Sequence, residues 1–136
     1  MRNSIMIVDD SEDTRELFKS TLEAEGFAVI DARDGQQALE LLRKHPDISL
    51  ILLDLAMPKM TGLQMLEEMR RTNIGRGIPV MLVSAADNMG TLEVPANVID
   101  TLKKPFFYPE LIFKIKQVHG VLPEKKARPN EMRGSF

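Results

Sequence analysis

Four apolar runs in this chain end in residues that could do chemistry together. Ile5-Met-Ile-Val8 leads into Asp9 and Asp10, and Leu50-Ile-Leu-Leu53 leads into Asp54. Pro79-Val-Met-Leu-Val83 leads into Ser84, and Val98-Ile-Asp-Thr-Leu102 into Lys103 and Lys104. If the four ends share one rim, three carboxylates, a hydroxyl and an ammonium converge there. Crowded carboxylates repel one another unless a cation or a proton compensates. Oxygen-only donors suit a hard ion, and Mg²⁺ typically takes one or two carboxylates while keeping waters and a phosphate oxygen. Lys104 offers a point charge for phosphate, and Ser84 a hydroxyl for a phosphoryl oxygen. With a metal and a lysine to neutralise developing charge, a carboxylate can attack phosphorus and become an aspartyl phosphate. The pattern reads as acceptance of a phosphoryl group on Asp54, with Mg²⁺ as the cofactor.

Such a rim needs a parallel sheet. The runs at Ile5–Val8 and Leu50–Leu53 are continuous rather than alternating, which suits strands covered on both faces. Phe27–Ala32 is a weaker strand of the same set. Helical patterns stand between them. Thr14–Glu25 places Leu17, Phe18 and Leu22 on one face, with Gly26 as its stop. Asp34–Lys44 carries Ala38, Leu39, Leu41 and Leu42 and closes at His45-Pro46. Gly62–Thr72 turns Leu63, Leu66 and Met69 inward, and Tyr108–Val118 aligns Leu111, Ile112 and Ile115. Gly90 and Pro95 interrupt residues 85–97, so the helix predicted there is short or irregular. Five strands alternating with five helical segments predict a doubly wound α/β fold. Right-handed crossovers then bring every strand's C-terminal end to one edge, where ligands of open parallel sheets bind.

The bulk numbers agree. A chain of 136 residues suits one core, and 43% hydrophobic with 28% charged residues is ordinary for a globular domain. A formal charge of -2 gives no reason to expect direct binding of nucleic acid or of a membrane surface. The absence of cysteine rules out disulfides and thiolate chemistry and fits a cytoplasmic location. The apolar run before Asp9 is too short for a signal peptide's core, and no stretch approaches a membrane span. From Gly120 the chain is rich in proline and charge. A domain over 1–119 followed by a flexible tail over 120–136 is expected.

The segment Asp54-Leu-Ala-Met-Pro-Lys-Met-Thr-Gly62 resembles the response-regulator pattern of aspartate, two residues, Met-Pro and a later glycine. Asp9-Asp10 resembles the acidic pair of that family. Ser84-Ala85 resembles its hydroxyl position, and Lys104-Pro105-Phe106 its Lys-Pro-Phe. Over roughly residues 4–119 the chain is therefore similar to a receiver domain of two-component signalling, of the chemotaxis-regulator kind. The resemblance implies a flavodoxin-like sheet of order 2-1-3-4-5. It implies that Asp54 is the phosphoryl acceptor, that Asp10 binds Mg²⁺ directly, and that Asp9 assists through water. The Ala56 backbone carbonyl would add a metal oxygen, while Ser84 and Lys104 would hold the phosphoryl group. Lys104-Pro105 would be a cis bond. The donor would be a phosphohistidine on a sensor histidine kinase or a histidine phosphotransfer protein. The chain would thus be a phosphoacceptor that assists its own phosphorylation and dephosphorylation, not an enzyme in the ordinary sense. A downstream protein would read the switch, and a homodimer through the last strand and helix is compatible with the pattern. The stretch given after residue 119 is expected to hold no output domain, whether the chain stands alone or is a piece of a longer regulator.

Some positions depart from the family. Thr101 stands where an aromatic switch residue is usual, three positions before the lysine. Ala56 is smaller than is common two positions after the acceptor, and residues 88–97 are unlike the usual fourth helix. These departures leave open a receiver-like module that signals without phosphorylation. Blander readings exist for single residues. Asp9, Asp10 and Ser11 suit a helix cap. A strand-end hydroxyl such as Ser84 often bonds backbone, and the methionines at 57, 60, 65 and 69 suit packing rather than a metal. A haloacid-dehalogenase-type phosphatase would want a second aspartate two positions after its nucleophile, where Ser11 and Glu12 stand instead. An FMN carrier would not set three acids against its phosphate.

Overall fold

The computed structural model describes residues 4–55, 57, 60–85 and 96–119. Its described elements are β1 (Ser4–Val8), α1 (Glu12–Ala24), β2 (Ala28–Ala32), α2 (Gly35–Lys44) and β3 (Ile48–Leu53), followed by α3 (Gly62–Thr72), β4 (Val80–Ser84), β5 (Val98–Lys103) and α4 (Tyr108–His119). All five strands are parallel and lie in the order β2-β1-β3-β4-β5. The doubly wound sheet is therefore present, with every strand ending on the same rim. Residues 86–95 of the stretch 85–97, where a short or irregular helix is expected, and the expected tail at 120–136 lie outside the described residues. The chain divides after Pro105 into two compact units, the first holding the sheet with α1 to α3 and the second holding α4.

Continuous apolar runs become central strands because both of their faces are covered. Across β1, β3 and β4 every residue is buried except Ser49. Met6, Val8, Ile51, Leu53, Val80 and Leu82 form one face, packed with Ala38, Leu39 and Leu42 of α2 and Met65, Leu66 and Met69 of α3. The alternate residues Ile5, Ile7, Leu50, Leu52, Met81 and Val83 are equally buried on the opposite face. The two outer strands, β2 and β5, are partly exposed along their length, as edge strands are.

Helix ends follow local chemistry. Ser11 caps α1, Asp34 caps α2 and Thr61 caps α3, each accepting a backbone N–H from the residue three positions on. At the end of α1, Gly26 takes φ +96 and Phe27 N–H reaches back to the Leu22 carbonyl at 3.1 Å. Gly26 N–H closes on Glu23 at 3.0 Å, completing a Schellman turn that glycine alone adopts without strain.

Two expected inward residues turn out otherwise. Leu17 is 52% exposed and Leu63 is 38% exposed. The core stripe of α1 runs through Phe18 and Leu22, one turn apart, so Leu17 is rotated off it by a full residue step. On α3 the stripe is Gly62, Met65, Leu66 and Met69, and Leu63 falls beside it. In α4, Leu111 and Ile115 are buried, Ile112 is half-buried and Phe113 is exposed.

Gly62 fixes the start of α3 against β3. Its N–H donates to the Leu55 carbonyl at 3.0 Å. A Cβ placed there would lie 2.5 Å from the Asp54 carbonyl oxygen and 2.9 Å from Leu55 Cα, both backbone atoms that cannot turn aside. Overpacking of this kind costs roughly 1–3 kcal/mol. Gly62→Ala is thus expected to lower unfolding stability by about that amount in urea titrations. An unchanged midpoint would mean that the first turn of α3 yields freely.

Candidate functional site

The rim is built from backbone outward. Asp9 N–H donates to the Ala32 carbonyl at 3.1 Å, and Asp54 N–H donates to the Val8 carbonyl at 3.0 Å. These bonds extend the ladder one residue past β1 and β3, holding the first residue beyond each strand in register. Lys104 N–H likewise donates to the Ser84 carbonyl at 2.9 Å. Side chains that the sequence sets at strand ends are therefore fixed by sheet geometry rather than by loops. The Lys104–Pro105 peptide is cis, as the resemblance implies.

Asp9, Asp10 and Asp54 each bring a carboxylate oxygen within 4.8 Å of the others. Asp9 and Asp54 are buried, whereas Asp10 is exposed. The Asp9 carboxylate is engaged on both oxygens: Oδ1 accepts the Ser11 N–H at 2.9 Å, and Oδ2 accepts from Lys104 Nζ at 2.8 Å. Lys104 Nζ also stands 3.7 Å from Asp54 Oδ2. Ser11 alone fulfils the cap at α1, accepting from Thr14 N–H at 3.2 Å, so the cap does not account for Asp9 or Asp10. Ser84 is fully buried at the end of β4. Thr101 is exposed on β5, opposite Leu82 in register. Ala56 lies outside the described residues.

Among the described residues three carboxylates thus face one ammonium, and two of them are nearly cut off from water. Carboxylates so placed are costly unless charge compensates them. Burial on its own pulls the Lys104 ammonium toward deprotonation, but the hydrogen bond and charge of Asp9, with the charge of Asp54, outweigh it and hold its pKa above the ordinary lysine value. The lysine stays charged, and among the described residues the cluster holds more acidic than basic groups. An all-oxygen, partly open, net-negative site fits a hard divalent cation such as Mg²⁺.

Sequence reasoning placed Asp9, Asp10, Asp54, Ser84 and Lys104 on this rim, and the structure brings them there. It missed what holds them. Arg15 of α1 donates from Nη1 to the Asp9 carbonyl at 2.7 Å and from Nε to Asp31 Oδ2 at 2.9 Å. The loop that follows Asp54 is anchored by Leu55 and Met57, both buried in the core. It ends in a capping box between Thr61 and Gln64, whose Thr-x-x-Gln spacing was readable from the sequence.

Because the folded pKa of Lys104 is raised, the stability its charge supplies is complete below the unfolded value of 10.5 and is lost as pH rises through the folded value. The wild type is therefore expected to exceed Lys104→Met in unfolding free energy by a constant margin from pH 7 to 9. That margin should shrink in more alkaline buffer. A margin that stays level to pH 12 would show that the ammonium contributes only packing.

Comparison with known proteins accords with this geometry. Residues 5–116 match the response regulator receiver domain. The transcriptional regulatory protein CpxR of Escherichia coli is 41% identical over 120 residues, 85% of this chain and 49% of that protein. The chain thus spans about half the length of the CpxR relatives it matches. The polar-differentiation response regulator DivK of Brucella anthropi is 36% identical over 123 residues, covering 88% of this chain and 98% of the relative. Among solved structures, the response regulator TrrA of Thermotoga maritima in complex with Mg(2+)-BeF superposes with a TM-score of 0.76 at 28% identity. That match covers 85% of this chain and 98% of TrrA. A family match over most of the chain, a relative matched almost end to end and an acidic rim of the required kind agree: this chain belongs to the response regulator receiver domains of two-component signalling.

Proposed function

We propose that Asp54 is the residue that accepts the phosphoryl group, and that Mg²⁺ held beside it by Asp10 supports the transfer. The observation that carries this reading is the carboxylate cluster at the strand ends, Asp9, Asp10 and Asp54, tied to the charged Lys104. Mg²⁺, when bound, draws negative charge from the phosphoryl oxygens and the attacking carboxylate. Asp10, the exposed member, is the direct ligand. Asp9, with both oxygens already accepting hydrogen bonds, acts through water. Asp54 and the Ala56 carbonyl complete the oxygen set.

In the transfer, an Asp54 oxygen forms a bond to phosphorus as the phosphorus–nitrogen bond of a phosphohistidine breaks, and the imidazole departs with the electron pair. Lys104 then turns from the Asp54 carboxylate toward the new phosphoryl oxygens. Ser84, buried at the end of β4, offers its hydroxyl to a phosphoryl oxygen. Phosphorylation then shifts a population between two conformations that a partner protein reads. The phosphodonor is a sensor histidine kinase or a histidine phosphotransfer protein, the receiver occupies residues 1–119, and the setting is the cytoplasm. Among the described residues no helix is long and apolar enough to cross a membrane.

The test uses acetyl phosphate with Mg²⁺ and the intact mass of the protein, beside an Asp54→Asn control. One phosphoryl group is expected on the wild type, absent from the control, and absent from the wild type when EDTA is added first. A folded wild type that gains nothing would sink the reading and favour a module that signals without phosphorylation. Labelling that persists in Asp54→Asn would move the acceptor elsewhere.

A further inference from the structure

We infer that Arg15 is a positioning residue for the cation site, fixing the peptide plane from which Asp10 projects. This rests on the reading of that rim as a Mg²⁺ site. Asp9 is held at its N–H by Ala32 and at its carboxylate by Ser11 and Lys104. Asp10 differs: it is exposed, and among the described residues no group hydrogen-bonds its carboxylate. Its placement must come through its backbone. The carbonyl of Asp9 belongs to the planar peptide that joins Asp9 to Asp10. Arg15 Nη1 donates to that oxygen at 2.7 Å. Holding this oxygen orients the plane, and the plane sets the direction in which Asp10 leaves the chain.

The guanidinium is itself held. Its Nε donates to Asp31 Oδ2 at 2.9 Å, near the end of β2, and its side chain is 14% exposed against 39% for Asp31. Helix initiation does not explain the contact, because Ser11 caps α1 independently. Attraction to the acidic cluster does not explain it either. A bare cation there would compete with the metal, whereas the Arg15–Asp31 pair is neutral and leaves the cluster's charge unspent. What the pair supplies is direction, in the way that groups behind metal ligands commonly do.

Charge and position make opposite forecasts, which makes the inference testable. The full chain and its Arg15→Met, Asp31→Asn and doubly substituted variants are titrated with Mg²⁺ by calorimetry, and their metal-free melting temperatures are recorded alongside. Removing the Arg15 charge would by electrostatics alone tighten Mg²⁺ binding. Loss of positioning instead weakens it, by roughly ten-fold on the scale typical of such groups. The double variant restores the charge balance of the wild type and is expected to stay weakened. Arg15→Met that binds Mg²⁺ as tightly as the wild type, or more tightly, overturns the assignment. Should that variant fail to fold, Asp31→Asn carries the test at about 1 M salt, where the Debye length is near 3 Å. There a loss of affinity persists if position matters, and wild-type affinity overturns the inference. A wild type that binds no Mg²⁺ would remove the metal site and this role together, whereas a defect confined to the variants leaves the site standing.

Discussion

Everything at the rim depends on gathering three carboxylates where Lys104 answers them. Such a cluster disfavours folding, since like charges are brought together and two of the three are taken out of water. The fold tolerates it because the carboxylates sit at the ends of a sheet that is apolar through its middle strands on both faces. Stability is gathered in the core and function is placed at its edge, where an unfavourable charge arrangement can be kept ready for a cation.

Keeping it ready requires that the acids not relax apart. Backbone bonds just past β1 and β3 hold Asp9 and Asp54 in register. Lys104 bridges the ends of β1 and β3 through its side chain and grips β4 through its backbone. Leu55 and Met57 are buried in the core, so hydrophobic burial adds to the Gly62–Leu55 hydrogen bond in holding the segment nearest the chemistry.

Much of this was legible in the sequence. Continuous apolar runs gave the central strands, and the polar residue that ends each run gave the site, because a parallel sheet turns sequence position into a shared edge. The amphipathic faces were less legible. Leu17 and Leu63 carry the right chemistry one residue step away from the buried stripe, and a helix's angular position is settled only when it docks. The clamp at Arg15 was illegible for a different reason. Its partners, a carbonyl in the loop after β1 and a carboxylate near the end of β2, are distant or featureless in sequence and meet only once α1 lies across them. Arg15 and Asp31 taken singly look like ordinary solvated charges.

The hydrogen bond from Gly62 to Leu55 has one more consequence. It closes the chain that follows the acceptor into a ring, with a glycine at its closure that tolerates no side chain. A closed ring has a fixed number of links. Substitution inside it is a local matter, but insertion or deletion of a residue would put the closure out of step with the acceptor strand. The stretch from Asp54 to Gly62 should therefore be fixed in length, and it would have to be transplanted into another protein as one piece.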